Sequence, residues 1–342
     1  MSTSPGFERP IRVLVADDSE LFRELLAGVV AADAAFQVVA VAADGNEAAS
    51  RARTLRPDVI TMDLNMPDAD GFSGIARIMA ETPTPILVLT GDPTEAVGFR
   101  ALSLGALDIL EKPQASADLG AYGQLLRSRL RLLAGVKVIR HLRGLRAQRA
   151  APPRAAARAD LVVIGASLGG PRALATLLRS IPADFPAPVA VVQHIADGFT
   201  EGLASWLASE SRLDVREARD GERLRSGRIL LAPTGRHLVV AEGVAHLSDA
   251  PPFDTFKPSV TPLFLSAARH YGARACGVIL TGMGRDGAEG LRAIKAAGGP
   301  TIAQDEATSA VFGMPRAAIE LGAVERVMPL DEIARALLEL TR

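Results

Sequence analysis

The strongest constraint on the fold is an alternation of short apolar runs with amphipathic helical patterns, which occurs twice along the chain of 342 residues. Strands that alternate with helices in this way form βαβ units, whose strands lie parallel in one sheet. Short strands that are almost wholly apolar suit a sheet covered by helices on both faces. We therefore predict an α/β fold of two doubly wound domains.

The predicted elements fall into two series that are alike only in architecture. In the first series, strands are predicted at residues 11–16, 38–42, 59–62, 86–90 and 108–110, and helices at 21–32, 47–55, 72–80, 96–104 and 119–142. In the second series, strands are predicted at 161–166, 189–193, 228–231, 238–241, 275–280 and 300–303, and helices at 171–180, 200–209, 262–271, 287–297 and 315–321.

A basic, alanine-rich stretch at residues 143–158 separates the two series and contains Pro152 and Pro153. Such a run is typical of a solvated linker, which is the interpretation we favour, and a surface for an acidic partner is the alternative. We place the first domain at residues 10–133, the linker at 134–158 and the second domain at 159–342.

Composition limits the classes of function. A formal net charge of −1 and the lack of a helix-turn-helix pattern argue against nucleic acid as a partner. No apolar run approaches the roughly 18 residues that a spanning helix needs, so we expect no membrane insertion. The single cysteine, Cys276, excludes an intramolecular disulfide, and its apolar surroundings predict a buried thiol. With no signal pattern in residues 1–10, we expect a cytoplasmic protein.

Polar residues stand at the strand ends of the first series. They are Asp17 and Asp18 after the first strand, Asp63 after the third, Thr90 at the end of the fourth and Lys112 after the fifth. Parallel strands end at one edge of a sheet, where three carboxylates repel one another unless a cation such as Mg²⁺ joins them. Asp63 can then attack a phosphate, and Lys112 can pair with a phosphate oxygen. A helix cap or a turn explains each acid alone but not the set in this order.

These residues resemble the response-regulator receiver family over about residues 10–133. That family has a flavodoxin-like fold of five parallel strands, accepts a phosphoryl group from a histidine kinase and requires Mg²⁺. The resemblance implies that Asp63 is the phosphoacceptor and that Asp17 and Asp18 hold the metal together with it. It also implies that Thr90 and Lys112 form the switch that senses phosphorylation.

The first strand of the second series runs into Gly165-Ala166-Ser167-Leu168-Gly169 and then a predicted helix. Gly-x-Ser-x-Gly in a strand–turn–helix setting is the nucleophile-elbow pattern, in which Ser167 attacks a substrate and backbone N–H groups hold an oxyanion. The alternatives are a dinucleotide phosphate loop and a simple tight turn. The glycine spacing lacks Gly-x-Gly-x-x-Gly, which argues against the dinucleotide site.

A base and an orienting acid are expected at the same sheet edge as Ser167. Of the five histidines, His194 alone ends an apolar strand of the parallel type. Asp286 lies in the loop after the strand at 275–280, where the alternative role is a helix N-cap. We predict that His194 shuttles the proton, that Asp286 orients the histidine and that hydrolysis needs no cofactor. Surface or capping roles are expected for the other histidines: His141, His237, His246 and His270.

The second domain resembles the chemotaxis protein-glutamate methylesterase family, so that the resemblance now covers nearly the whole chain. The matching motifs are residues 164–170, 193–194, 232–237, 257–260, 281–287, 303–306 and 312–315. The resemblance implies a Rossmann-like parallel-sheet hydrolase that cleaves glutamate γ-methyl esters on chemoreceptor helices and also deamidates glutamines. It assigns the triad to Ser167, His194 and Asp286, and the oxyanion region to the backbone of Leu168 and Met283.

The chain departs from that family at three positions. Leu168 stands where threonine is usual, Arg285 where asparagine is common, and Thr261 where the motif usually has aspartate. These departures keep open a rival function, a non-catalytic response regulator whose C-terminal domain only binds a partner. We favour the enzyme because the triad residues are intact.

Overall fold

Both halves of the chain form parallel α/β sheets. The computed structural model describes residues 9–66, 71–91, 96–113, 118–136, 158–253 and 256–342. The chain divides into two compact units, one up to residue 141 and one from residue 142 onward. The doubly wound fold class is thereby confirmed. The linker predicted at 134–158 lies mostly outside the described residues, as does His141, and the domain boundaries stay predictions.

The first unit holds one five-stranded sheet. Its elements are β1 (Ile11–Ala16), α1 (Glu20–Ala31), β2 (Phe36–Ala42), α2 (Gly45–Leu55), β3 (Val59–Asp63), α3 (Gly71–Glu81), β4 (Ile86–Thr90), α4 (Ala96–Leu104), β5 (Asp108–Glu111) and α5 (Leu119–Ala134). The strand order is β2-β1-β3-β4-β5, and every pair is parallel. Because the order reverses at β1 and β3, a crevice for ligands is expected between their carboxyl ends.

The second unit holds a seven-stranded parallel sheet. The elements are β6 (Leu161–Ala166), α6 (Gly170–Arg179), β7 (Val189–Gln193), α7 (Thr200–Glu210), β8 (Asp214–Glu217), β9 (Glu222–Arg223), β10 (Arg228–Leu231), β11 (His237–Ala241), β12 (Val244–Ser248), α8 (Val260–Tyr271), β13 (Ala275–Ile279), α9 (Ala288–Ala296), β14 (Thr301–Gln304), α10 (Met314–Glu320), β15 (Arg326–Met328) and α11 (Leu330–Thr341). The strand order of the sheet, β15-β14-β13-β6-β7-β10-β8, places the reversal between β13 and β6.

Several elements of the second unit differ from the prediction. The predicted strand at 238–241 belongs to β11, which pairs antiparallel with β12 in a separate sheet that also includes β9. The edge strand β8 was not predicted, because it buries only one of its four residues and lacks an apolar run. No helix was predicted after residue 321, yet α11 shows a helical apolar period through Leu330, Ile333 and Leu337.

At the centres of both sheets, the strands predicted from apolar runs are the strands that are buried. Every residue of β3, β4, β6, β7 and β13 is buried, which explains why these strands read as apolar runs without alternation. Cys276 in β13 is free and fully buried, as predicted. Among the described helices, none is both long enough and apolar enough to cross a membrane.

Two helical glycines of the first unit are expected to respond oppositely to alanine. A methyl group at Gly71 would overlap the carbonyl oxygen of Asp63 and lie 2.9 Å from Cα of Leu64, whereas Gly28 in α1 has nothing within 4 Å. Gly71→Ala should lower the free energy of unfolding by about 2 kcal/mol, because backbone atoms cannot move aside. Gly28→Ala should raise it by about 0.5–1 kcal/mol. Scanning calorimetry of both variants checks the signs, and equal effects would contradict the packing at Gly71.

Candidate active site

The acidic residues of the first unit meet at the reversal between β1 and β3. One carboxylate oxygen each from Asp17, Asp18 and Asp63 lie within 4.8 Å of one another. Asp17 is fully buried, Asp63 is nearly so and Asp18 is exposed. The Lys112 Nζ lies 2.7 Å from Asp17 and 3.0 Å from Asp63. The buried Thr90 belongs to the same edge, since its carbonyl oxygen accepts a hydrogen bond from the Lys112 N–H at 2.7 Å.

The electrostatics of this cluster favour an added cation. Burial raises the pKa of Asp17, although a hydrogen bond from Lys112 opposes the rise. Burial alone would lower the pKa of Lys112, but its contacts with Asp17 and Asp63 raise it, so the lysine stays charged. Three carboxylates with one exposed member supply hard oxygen ligands and leave room for water, which is what Mg²⁺ prefers. The residues present therefore fit a magnesium ion.

The nucleophile candidate of the second unit sits in a sharp turn between β6 and α6. Gly169 takes a left-handed conformation with φ of +75° at the N-cap of α6, which glycine adopts without steric cost. The Ser167 N–H donates to the Thr281 carbonyl at 3.0 Å. The Ser167 carbonyl accepts from the Gly170 N–H at 2.8 Å and from Gln193 Nε2 at 2.7 Å. These bonds fix the turn and leave the partly exposed Ser167 side chain at the sheet edge.

His194 and Asp286 form a close pair beside this turn. His194 follows β7, the neighbour of β6 on one side, and Asp286 follows β13, the neighbour on the other. The His194 Nε2 lies 2.8 Å from Asp286 Oδ2, and the two side chains are 7% and 1% exposed. The backbone N–H of His194 also donates to the carbonyl of Ala166, the residue before Ser167, at 3.0 Å. The three residues predicted from strand ends are thus brought to one edge.

Asp286 is a buried anion held at the N-terminus of α8. Its Oδ2 accepts from the Val260 N–H at 2.7 Å, in addition to His194. Its Oδ1 accepts from Ser259 Oγ at 2.7 Å and from the Thr261 N–H and Oγ1 at 3.0 and 2.7 Å. Burial alone would raise the pKa of Asp286, but these donors lower it to about 2. The predicted alternative, a cap on α9, is wrong, because Gly287 is the N-cap of that helix.

The charge on Asp286 determines the tautomer of His194. An ionised carboxylate only accepts hydrogen bonds, so in the neutral imidazole the Nε2 of His194 carries the proton and Nδ1 carries the lone pair. The Nδ1 is buried and has no hydrogen-bond partner among the described residues. No hydrogen bond joins it to the Ser167 hydroxyl in this conformation, as is common in sites without substrate. The base nitrogen is therefore free to accept a proton.

Backbone N–H groups of the predicted oxyanion region lie around the nucleophile. A methyl group placed on Gly282 would lie 2.8 Å from Cβ of Ser167, so the loop that continues into Met283 passes directly beside it. Neither the Leu168 N–H nor the Met283 N–H donates to another described residue. The Leu168 carbonyl is held by Thr281 Oγ1 at 2.9 Å, which fixes the following peptide. Both amides are thus available to an oxyanion.

Some residues that support the site were not recognised from the sequence. Gln193 is buried, and its Nε2 donates to the carbonyls of Ser167 and His194 at 2.7 and 2.8 Å, which ties the two loops together. His237 was expected in a surface or capping role, but it is 1% exposed and hydrogen-bonded at both nitrogens. No local pattern reveals these roles, because the partners lie in distant loops.

Comparison with known proteins shows the family of each half of the chain. The family model for CheB methylesterase matches residues 162–337, and that for the response regulator receiver domain matches residues 13–122. The chain belongs to the CheB methylesterase family. The resemblance inferred from the sequence motifs is thereby confirmed.

Relatives of this CheB-family chain match it over almost its whole length. Protein-glutamate methylesterase/protein-glutamine glutaminase 2 of Anaeromyxobacter dehalogenans (strain 2CP-C) is 80% identical, with 98% of this chain and 99% of that protein covered. Protein-glutamate methylesterase/protein-glutamine glutaminase 4 of Myxococcus xanthus (strain DK1622) is 45% identical, with 96% of each covered. The crystal structure of the Thermotoga maritima CheB methylesterase catalytic domain is 41% identical, covers 53% of this chain and 98% of that one, and gives a TM-score of 0.52.

The three residues that depart from the CheB-family pattern differ in whether their side chains contribute to the site. Leu168 has a buried side chain, and the site uses only its backbone. Arg285 is exposed and takes no part in the hydrogen bonds around Asp286. Thr261, in contrast, donates twice to Asp286 and accepts a bond from the Gly287 N–H at 2.8 Å through its hydroxyl. The hydroxyl at position 261 therefore supports the carboxylate directly.

Asp286→Asn should reduce stability in a pH-dependent way. The pKa of Asp286 falls from 3.8 to about 2 on folding, so the ionised form is favoured in the folded state. The resulting stabilisation, on the order of 2 kcal/mol, is present above about pH 4 and is lost as the pH falls towards 2. Urea unfolding followed by fluorescence of Trp206, the only tryptophan, reports on the second unit. A difference in unfolding free energy between wild type and variant that does not change with pH would contradict a lowered pKa for Asp286.

Thr261→Val should weaken the site through its hydrogen bonds alone, since valine has nearly the same shape as threonine. The change removes one donor to Asp286 and leaves the Gly287 N–H without its acceptor. We expect a loss of about 1–3 kcal/mol in unfolding free energy, measured by Trp206 fluorescence. Thr261→Ser keeps the hydroxyl and is the matched control. A loss in Thr261→Val no larger than that in Thr261→Ser would contradict a stabilising role for the hydroxyl hydrogen bonds.

Proposed function

We propose that this chain hydrolyses glutamate γ-methyl esters on chemoreceptor helices, and that Ser167, His194 and Asp286 form its catalytic triad. The observation that carries the proposal is the 2.8 Å pair of His194 and Asp286 at the sheet edge where the Ser167 turn lies. Relatives named protein-glutamate methylesterase/protein-glutamine glutaminase, matched over nearly the full chain, support the substrate class.

The acylation step follows from the proton positions. The Ser167 oxygen attacks the ester carbonyl carbon while its proton passes to His194 Nδ1. The resulting oxyanion is stabilised by the backbone N–H groups of Leu168 and Met283. The tetrahedral intermediate then collapses, the bond to the methoxy group breaks, and the imidazolium returns its proton so that methanol leaves. Asp286 keeps the imidazole in the required tautomer and stabilises the cation that forms.

The deacylation step uses the same groups with water. His194 removes a proton from a water molecule while the water oxygen attacks the carbonyl carbon of the acyl-enzyme. The bond between that carbon and the Ser167 oxygen then breaks, and His194 returns the proton to Ser167. The product is a glutamate side chain with a free carboxylate. A glutamine side chain enters the same sequence, with ammonia instead of methanol as the first leaving group. No cofactor is required for either substrate.

The first unit is proposed to regulate this activity through phosphorylation of Asp63. Asp63 would accept a phosphoryl group from the histidine kinase of a chemosensory system, with Mg²⁺ held by Asp17, Asp18 and Asp63. The metal would neutralise phosphate charge, Lys112 would pair with a phosphate oxygen and the Thr90 hydroxyl would sense the group. The placement of one oxygen from each of the three carboxylates within 4.8 Å supports the metal assignment. The free thiol of Cys276 suits the reducing cytoplasm, where we place the protein.

The test of both halves is methanol release from methylated chemoreceptor fragments, with and without acetyl phosphate and Mg²⁺. Ser167→Ala should lower release by at least about 10³-fold, because a triad member is lost. Asp63→Asn should keep the basal rate but lose the stimulation by acetyl phosphate. In parallel, a fluorophosphonate probe should label the wild type and not Ser167→Ala.

Each outcome has a distinct meaning. No methanol release and no labelling in the wild type would overturn the enzyme in favour of a receiver-controlled binding module. Labelling without methanol release would retain the serine nucleophile but reject the substrate. Stimulation that persists in Asp63→Asn would reject Asp63 as the regulatory phosphoacceptor.

A further inference from the structure

The imidazole of His194 is covered by an aromatic ring that the sequence did not predict. The Phe256 ring lies parallel to it, with 4.1 Å between the centroids and 4° between the planes. A parallel stack covers one face of an imidazole and leaves its edge free, and both ring nitrogens lie on that edge. Phe256 therefore shields the base without displacing a hydrogen-bond partner of either nitrogen.

The backbone that carries Phe256 is anchored on both sides. The N–H groups of Phe256 and Phe253 each donate to the carbonyl of the other residue, at 3.0 and 3.2 Å. The buried His237 joins the flanking chain, since its Nε2 bonds to the Pro251 carbonyl and its Nδ1 accepts from the Ser259 N–H, each at 3.1 Å. These bonds restrict how far the Phe256 ring can move away from the base.

A single hydrogen bond does not fix the orientation of an imidazole. The torsion between Cβ and a histidine ring has broad energy minima, so the bond from Nε2 to Asp286 still allows the ring to tilt. A flat neighbour at 4.1 Å removes that freedom, because a tilt would drive ring atoms into Phe256. The stack thus supplies a constraint that Asp286 does not, a fixed plane for Nδ1.

We propose that Phe256 is a positioning residue for ester hydrolysis, which holds the plane of the His194 imidazole so that Nδ1 is aimed at the Ser167 hydroxyl. This inference rests on the proposed triad and extends it to a residue that acts through the base. The same ring faces the imidazolium formed during acylation, and an aromatic face attracts a cation. Both effects act on the chemical step, so they affect kcat more than KM.

The experiment compares Phe256→Ala, Phe256→Tyr and Phe253→Ala in the full chain on two substrates, p-nitrophenyl acetate and a methylated receptor peptide. Phe256→Ala should lower kcat about 10- to 100-fold on both substrates with KM changed less than about threefold, as expected for a misplaced catalytic group. Phe256→Tyr keeps the stacked ring and should restore most of the rate. Phe253→Ala removes a side chain that is 40% exposed, on the residue whose backbone pairs with Phe256, and should leave kcat unchanged.

The outcomes separate this inference from the proposed function. An active wild type with unchanged kcat in Phe256→Ala, or with a loss confined to KM for the peptide, overturns the positioning role alone. Equal losses in Phe253→Ala and Phe256→Ala also overturn it, because they would reflect disruption of the backbone pairing between these two residues. A wild type that hydrolyses neither ester overturns the proposed function and the inference together. Unfolding curves from Trp206 fluorescence establish that each variant is folded.

Discussion

The carboxylate of Asp286 is the charge around which the site of the second unit is arranged. A buried anion is costly, and this one is stabilised by five hydrogen bonds from His194, Ser259, Val260 and Thr261. Two of the donors are the first N–H groups of α8, where the helix dipole favours a negative charge. These contacts also hold the N-terminus of α8 against the loop that carries Asp286, and the contact with His194 sets the tautomer of that histidine.

Both units place their polar clusters where the strand order of a parallel sheet reverses. The reversal between β1 and β3 gathers Asp17 and Asp63, and that between β13 and β6 gathers Asp286 and Ser167. The chemistry differs because the charges are balanced differently. The first cluster combines three carboxylates with Lys112 and suits an added cation, whereas the second compensates one carboxylate with helix amides and hydroxyl groups. A shared architecture thus presents two polar sites of different chemical character.

Departures from a family motif are tolerable where the site uses only the backbone. Leu168 replaces threonine in the turn after Ser167, yet the peptide that carries its N–H stays fixed, because the Ser167 carbonyl of that peptide accepts hydrogen bonds from the Gly170 N–H and from Gln193 Nε2. Thr261 replaces an acid and contributes its side chain, because a hydroxyl can donate to Asp286 while an ionised carboxylate cannot. The substitution at 261 therefore changes how the acid is held, whereas the change at 168 does not alter the backbone donor.

The sequence by itself determined the two parallel sheets, and it placed Ser167, His194 and Asp286 at one sheet edge, because an apolar run marks a strand and its end marks the functional edge. It did not reveal α8 as the support of Asp286, since the donors Ser259 and Thr261 lie 27 and 25 residues away along the chain. Nor did it reveal the stack of Phe256 on His194. Strand ends follow from local patterns, whereas contacts between loops depend on how distant segments pack, and only the tertiary structure decided those.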